Sequence, residues 1–182
     1  MVSQMLIRRM RDEDVPAVMK IESVSFGRHH WSDESFFNEM NNQVGRYYSL
    51  VNEADNKQLL GYCGVWQILD EVHVTTVAID PAMRGMALGE VLLVHIIERA
   101  MGQSIKWITL EVRATNYSAQ NLYYKYGFRS VGVRPRYYQD NQEDALIMTT
   151  SEISSQEYRD LYRTNKEKLI ARVGDLPKGL GS

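Results

Sequence analysis

The alternation of apolar and polar positions divides the chain into short runs of two kinds, arranged around the stretch Val77–Gly127. Met5–Met10 reads as a strand, after which Asp12 offers an N-cap to a helix bearing Val15, Val18 and Met19 at helical spacing. Phe26–Trp31 is an aromatic loop. Ser32 can then cap the helix SDESFFNEM, with Trp31 before the cap and Phe36 inside the helix forming a hydrophobic staple. Tyr47–Glu53, Gln58–Gln67 and Glu71–Ile79 are strands joined by short connections, the first of which, Ala54-Asp55-Asn56-Lys57, reads as a hairpin turn. Three such strands in succession predict an antiparallel meander. Pro81 ends the third strand, and the apolar run Glu90–Met101 follows a small-residue turn. Leu88, Val91, Leu92 and Ile96 form one stripe of that helix and Val94, Ile97 and Met101 another, so most of its circumference should be covered. Gly102 closes it, and Ile105–Arg113 follows as a strand whose crossover makes it parallel to Glu71–Ile79.

Asn116 or Ser118 caps the next helix, in which Ala119, Leu122, Tyr123 and Tyr126 share a face before Gly127 stops it. Arg129–Arg134 and Asp144–Thr149 read as a last pair of strands around the loop Pro135–Glu143. Beyond Thr150, a Ser154–Glu157 capping box opens a polar helix with Tyr158, Leu161 and Tyr162 on one side, and GDLPKGLGS reads as a flexible tail. The chain is thus expected to be one α+β domain over residues 1–150, with a helical extension and tail over 151–182.

Composition narrows the class. The 182 residues are 44% hydrophobic and 24% charged, ordinary globular usage, and a net charge of -2 argues against a nucleic-acid binder relying on a global positive field. The single cysteine, Cys63, has no internal disulfide partner, and the N-terminal residues lack the apolar core of a secretory signal. No run of about 18 apolar residues is present, so no membrane helix is expected. The resulting expectation is a soluble, cytoplasmic protein. His29, His30, His73 and His95 lack metal-ligand spacing with Cys63, so no metal site is expected.

Two features carry chemistry. Arg84-Gly85-Met86-Ala87-Leu88-Gly89 lies where a strand gives way to a helix, whose unpaired N–H groups and partial positive charge suit an anion that small residues let approach. Small residues at such a turn also serve the turn alone, and the spacing fits neither the dinucleotide nor the P-loop fingerprint. In Ile105–Arg113, alternation puts Glu111 on the face of Trp107 and Thr109, away from Ile108, Leu110 and Val112. It can enter a cleft, where partial desolvation would raise its pKa toward working pH and make it a base; the alternative is a strand-edge glutamate paired with Arg113 or Arg129. Tyr123 is either a core tyrosine or a proton donor.

At these residues the chain resembles the GNAT superfamily of acetyl-coenzyme A-dependent N-acetyltransferases. The motif of that superfamily, Gln or Arg, two residues, Gly, one residue, then Gly or Ala, falls on Arg84–Gly89, with Ala87 where glycine is usual; alanine fits if the backbone there is already helical. Val77-Ala78-Ile79 matches the strand whose backbone meets the pantetheine arm. DEVHVTTVAIDP, LEVRATN, SAQNLYYKYGF and RPRYY followed by EDALIM look like the bacterial ribosomal-protein-alanine N-acetyltransferases. The resemblance covers about residues 5–150. It implies a GNAT fold with a mixed, mostly antiparallel sheet splayed between Glu71–Ile79 and Ile105–Arg113. It further implies acetyl transfer from acetyl-coenzyme A to the N-terminal amine of a small-subunit ribosomal protein, by direct attack in a ternary complex.

Carried over residue by residue, the resemblance makes Glu111 the proton acceptor. The motif N-x-x-A-x-x-L-Y, here Asn116–Tyr123, makes Tyr123 the donor to the coenzyme thiolate. Val77, Ala78, Ile79, Arg84, Gly85, Met86, Ala87, Leu88, Gly89 and Glu90 would hold the cofactor, as would Asn116 besides its cap. Glu71 and His73 are rival bases, and Cys63 is expected to be a small core residue. Trp31, Tyr137 and Tyr138 are candidate walls for the peptide, the latter two on a loop with Arg134, Arg136, Glu143 and Asp144 whose carboxylates could hold an amine; a solvated hairpin is the other reading. Acetylation of a small amine or lysine, and a catalytically silent coenzyme A-binding module, stand as alternatives.

Overall fold

The computed structural model describes residues 4–26, 31–54 and 58–181. In chain order the elements are β1 (Met5–Arg9), α1 (Val15–Phe26), α2 (Asp33–Met40), β2 (Gly45–Asn52), β3 (Gln58–Ile68), β4 (Glu71–Ile79), α3 (Leu88–Met101), β5 (Trp107–Arg113), α4 (Tyr117–Lys125), β6 (Phe128–Tyr138), β7 (Glu143–Thr150) and α5 (Gln156–Val173). The strands form one sheet in the order β1-β2-β3-β4-β5-β7-β6, antiparallel throughout except for β4 against β5. The β2-β3-β4 meander and the parallel crossover are as expected. Residues 55–57 of the hairpin turn and 27–30 of the aromatic loop, His29 and His30 among them, lie outside the described residues.

The sheet separates two cores. Val91, Leu92, Ile96 and Ile97 of α3 pack with Leu50, Leu60, Leu110 and Met148 on one face, whereas Val18 and Ile21 of α1 and Phe36 of α2 pack with Tyr47 and Tyr62 on the other. Cys63 is fully buried, and burial pushes its thiol up to about 12, which leaves it an inert core residue. Ser32 accepts from the Ser35 N–H at 3.2 Å, and the Trp31 and Phe36 rings stand 5.3 Å apart as a staple.

The feature that matters for function is a gap in the sheet. Pairing of β4 with β5 runs only from Glu71↔Trp107 to Val74↔Leu110. Next to it, the β3–β4 register jumps from Gly64↔Thr76 to Val65↔Val74, leaving Thr75 as an extra residue in β4. A bulge bends its strand and increases local twist, so the ends of β4 and β5 part and β5 turns to β7, which it meets from Thr109 to Arg113. The Asp80 N–H donates to Leu60 at 2.9 Å, so alternation directs the main-chain groups of Val77 and Ile79 away from β3 and into the gap.

Three local expectations are corrected. Ala87 is not in right-handed helical geometry: it is the N-cap of α3 with φ 61° and ψ 14°, the left-handed region. The cap of α5 is Ser155, which accepts from the Tyr158 N–H at 3.2 Å, while Ser154 donates to Glu152. The tail is not free. The outer edge of β1 exposes main-chain groups that need partners, and the chain end supplies them: Ile7 N–H donates to Lys178 at 2.9 Å and Lys178 N–H to Met5 at 3.0 Å. Gly179 makes this approach possible, because its φ is 72° and a Cβ there would collide with the Ile7 carbonyl. Leu176 and Leu180 pack on the core, and the Gly181 N–H donates to His95 Nδ1 at 3.0 Å.

Helix α5 docks as firmly. Tyr158, Tyr162 and Leu169 are buried, Tyr162 donates to Glu98 of α3, and Asn165 donates to the Lys125 carbonyl at the end of α4. The extension therefore braces the two helices that flank the gap.

Candidate active site

At the mouth of the gap lies a cleft of about 660 Å³ whose walls include Trp31, His73, Val77, Glu111, Asn116, Tyr123, Tyr137 and Tyr138. Residues from α2's approach, both splayed strands, α4 and the β6–β7 end thus converge on one space. Glu71 sits exposed at the far end of β4 and does not join them. Among the described residues no three His, Cys, Asp or Glu side chains are grouped to hold a metal ion.

Glu111 is 8% exposed, and both of its carboxylate oxygens are engaged: His73 Nε2 lies 2.8 Å from Oε2 and Arg134 Nε 3.0 Å from Oε1. The partners are neither Arg113 nor Arg129. An ionised carboxylate only accepts, so His73 donates to it. That hydrogen bond, against the opposing pull of burial and reinforced by the charges of His73 and Arg134, holds the Glu111 carboxyl below the ordinary carboxylate range. The expectation of a raised pKa is therefore overturned, because desolvation is outweighed by donors the linear sequence did not place. Glu111 is ionised at neutral pH, and His73, a rival in the sequence, is its partner in space.

Tyr123 is half-buried, its ring 5.6 Å from Phe128. Burial pushes its phenol up to about 12, so it keeps its proton at neutral pH and has one to donate. Asn116 caps α4, its Oδ1 accepting from the Ala119 N–H at 3.1 Å, and it also lines the cleft. Glu143 fixes the preceding loop by accepting from the Thr115 N–H at 2.8 Å and from its hydroxyl.

Tyr137 and Tyr138 lie at the end of β6, not on a loop: the strand continues past Arg134 through an irregular step in which Arg136 has φ 50°. Their rings are nearly perpendicular, 5.2 Å apart, and Arg113 lies 3.8 Å over the Tyr138 ring. Of the nearby carboxylates, Glu143 is bound to Arg113 and Thr115, and Asp144 accepts from the Arg136 N–H, so both are occupied in holding the hairpin. Trp31 both staples α2 and lines the cleft.

At the start of α3, Ala87 provides no side-chain cap, so the first-turn N–H groups of Leu88, Gly89 and Glu90 have no intrahelical acceptor and face an anion-sized opportunity. A Cβ at Gly85 would meet nothing within 4 Å, and one at Gly89 only Ile79 at 3.9 Å, so the turn is open on its outer side. Arg84 reaches Ser25 at 3.3 Å and stays available. The Glu90 side chain turns away: its carboxylate binds Lys125 at 2.5 Å, the Tyr126 hydroxyl at 2.7 Å, and Arg172 of α5. Only its main chain can serve an anion. The turn offers donors and space, and the strand edge at Val77 and Ile79 offers amide partners, which fits a long ligand with phosphates at one end and amides along its arm.

The profile of the Acetyltransferase (GNAT) family matches residues 15–128. The chain is 41% identical over 148 residues to the putative [ribosomal protein bS18]-alanine N-acetyltransferase of Bacillus subtilis, covering 81% of this chain and 96% of that protein. It is 36% identical over 140 residues to the [ribosomal protein bS18]-alanine N-acetyltransferase of Salmonella typhimurium, covering 74% and 89%. Among solved structures, the ribosomal-protein-S18-alanine N-acetyltransferase from Escherichia coli superposes with a TM-score of 0.73 at 28% identity, over 84% of this chain and 97% of that one.

Proposed function

This chain belongs to the acetyltransferase (GNAT) family, and on that premise we propose that it acetylates the N-terminal amine of a protein, using acetyl-coenzyme A. We take the protein to be a small-subunit ribosomal protein that begins with alanine, as the names of its relatives suggest. The observation that carries the proposal is the meeting in one cleft of an ionised Glu111, a protonated Tyr123 and the free strand edge of β4. The carboxylate and phenol speak against a silent coenzyme-binding module.

Acetyl-coenzyme A supplies an activated acyl group on a thioester. The protein's part begins with binding: the N–H groups of Leu88, Gly89 and Glu90, with Gly85 and Arg84 beside them, would hold its phosphates, and the main chain of Val77 and Ile79 the amides of its arm. Ala78, by contrast, turns its side chain into the α1–α2 core and contributes only backbone continuity. Glu111 attracts the substrate ammonium and takes its proton, directly or through water, so that the nitrogen lone pair can form the new C–N bond. As the C–S bond breaks, the nitrogen loses its second proton to solvent, and Tyr123 gives its own proton to the departing sulfur and regains one from solvent. Each group starts in the protonation state its step requires.

No helix among the described residues is long and apolar enough to cross a membrane; we place the enzyme in the cytoplasm, where its ribosomal substrate is made. The assignment is tested by kcat/KM for an alanine-starting peptide. Glu111→Gln and Tyr123→Phe should each lower it by about 10²–10⁴-fold, the usual worth of a positioned acid or base. Near-wild-type turnover by Glu111→Gln across the pH range would remove Glu111 from its role.

A further inference from the structure

We propose that Arg134 reads the first carbonyl of the substrate peptide and thereby selects α-amines over isolated alkyl amines. This rests on the reading above that the reacting amine docks at Glu111. Arg134 lies on β6, two strands from Glu111. Ala145 of β7 sits in register between Arg113 and Arg134, and Glu111 lies opposite Ile147, the next position on the same face. The small Ala145 side chain leaves a lane along which the arginine stem crosses β7 to place Nε 3.0 Å from Glu111 Oε1.

Arg113 and Arg134 are used differently. Arg113 spends both Nη groups: it binds Asp140 at 2.8 Å, Glu143 at 3.1 Å and Asn141 at 3.2 Å. Arg134 spends only Nε; among the described residues neither Nη group has an acceptor, the side chain is 53% exposed, and its guanidinium stands 5.9 Å from the ring of Tyr137, a wall of the cleft. A guanidinium presents its donors in a rigid planar fork. With Nε fixed on Glu111, the two Nη groups are the donors left for an acceptor beside the carboxylate.

The first residue of a peptide presents an ammonium and a carbonyl oxygen separated by one carbon, a pair that matches a carboxylate and an adjoining guanidinium N–H. A lysine ε-amine or a polyamine offers no acceptor at that spacing. Arg134 is accordingly a specificity-determining residue: it favours the α-amine without being needed for the proton transfer itself.

The test compares an alanine-starting peptide with the same peptide carrying a trans-alkene in place of its first peptide bond, on wild type, Arg134→Ala, Arg134→Lys and Glu111→Gln. Wild type should prefer the amide by about 10–100-fold in kcat/KM, the usual worth of a charge-assisted hydrogen bond. Arg134→Ala should raise KM for the amide peptide by that factor with kcat little changed, and should reduce the preference to within about 3-fold. Arg134→Lys should not restore it, since an ammonium lacks the fork. Equal losses on both peptides, or an unchanged KM, would overturn the proposal while leaving Glu111 in its role. Full activity of Glu111→Gln would instead remove the docking reading beneath it.

Discussion

Replacing Glu90 by glutamine separates a cofactor ligand from a structural strut. The carboxylate is 6% exposed and joins α3 to α4 through Lys125 and Tyr126 and to α5 through Arg172. Glutamine keeps an acceptor for the buried Tyr126 hydroxyl but loses the charge that binds two cations. Those cations are 30% and 54% exposed and can rehydrate, so each charge-assisted bond is discounted to about 1 kcal/mol. With an amide N–H now facing cationic donors, the expected loss is about 2–3 kcal/mol in urea unfolding, with an unchanged m-value, and a fall in Tm of roughly 4–12 °C for a chain of this size. Burial alone would push the Glu90 carboxyl up, but the bonds from Lys125, Tyr126 and Arg172 outweigh it and hold it below its ordinary range. Its contribution is therefore complete above the unfolded pKa of about 4.3 and disappears as pH falls through the lower folded value. The stability gap between wild type and Glu90→Gln should be full at neutral pH and close in acid, while coenzyme A affinity by calorimetry stays within about 3-fold. Wild-type stability combined with a large loss of coenzyme affinity would refute the strut.

Two further outcomes follow from local geometry. Ala87→Gly removes the left-handed strain of a Cβ at φ 61°, less the extra chain entropy of glycine, and should raise Tm by about 1–4 °C in calorimetry; a fall would show that the turn is not left-handed. His73→Phe deletes the strongest donor to Glu111, so the acid limb of kcat/KM should move to higher pH, toward the ordinary carboxylate range; an unmoved limb would assign it to another group.

Much of the architecture was legible because it is written in local periodicity. The meander, the crossover strand, the Ser32 cap with its Trp31–Phe36 staple, and the face from which Glu111 projects all follow from patterns that repeat or close within a few residues. What escaped depends on contacts far apart in the chain. Arg134 lies 23 residues from Glu111 and reaches it only because β7 inserts between β5 and β6, so nothing in LEVRATN announces a low pKa. Glu90 looks like part of a phosphate turn until Arg172, 82 residues later, is seen to claim it. GDLPKGLGS reads as free chain because its glycines and lysine lack an apolar stripe, yet Lys178 pairs with β1 through its main chain, Leu176 and Leu180 pack on the core, and Gly179 permits the close approach. Ala87 mattered by conformation, which residue identity alone does not fix.

The most direct measurement is the position of the acetyl group after reaction with acetyl-coenzyme A. An alanine-starting peptide that also carries an internal lysine should gain one acetyl, located by tandem mass spectrometry on the N-terminal nitrogen and absent with Glu111→Gln. Acetyl on the lysine, or none despite bound coenzyme, would contradict the account.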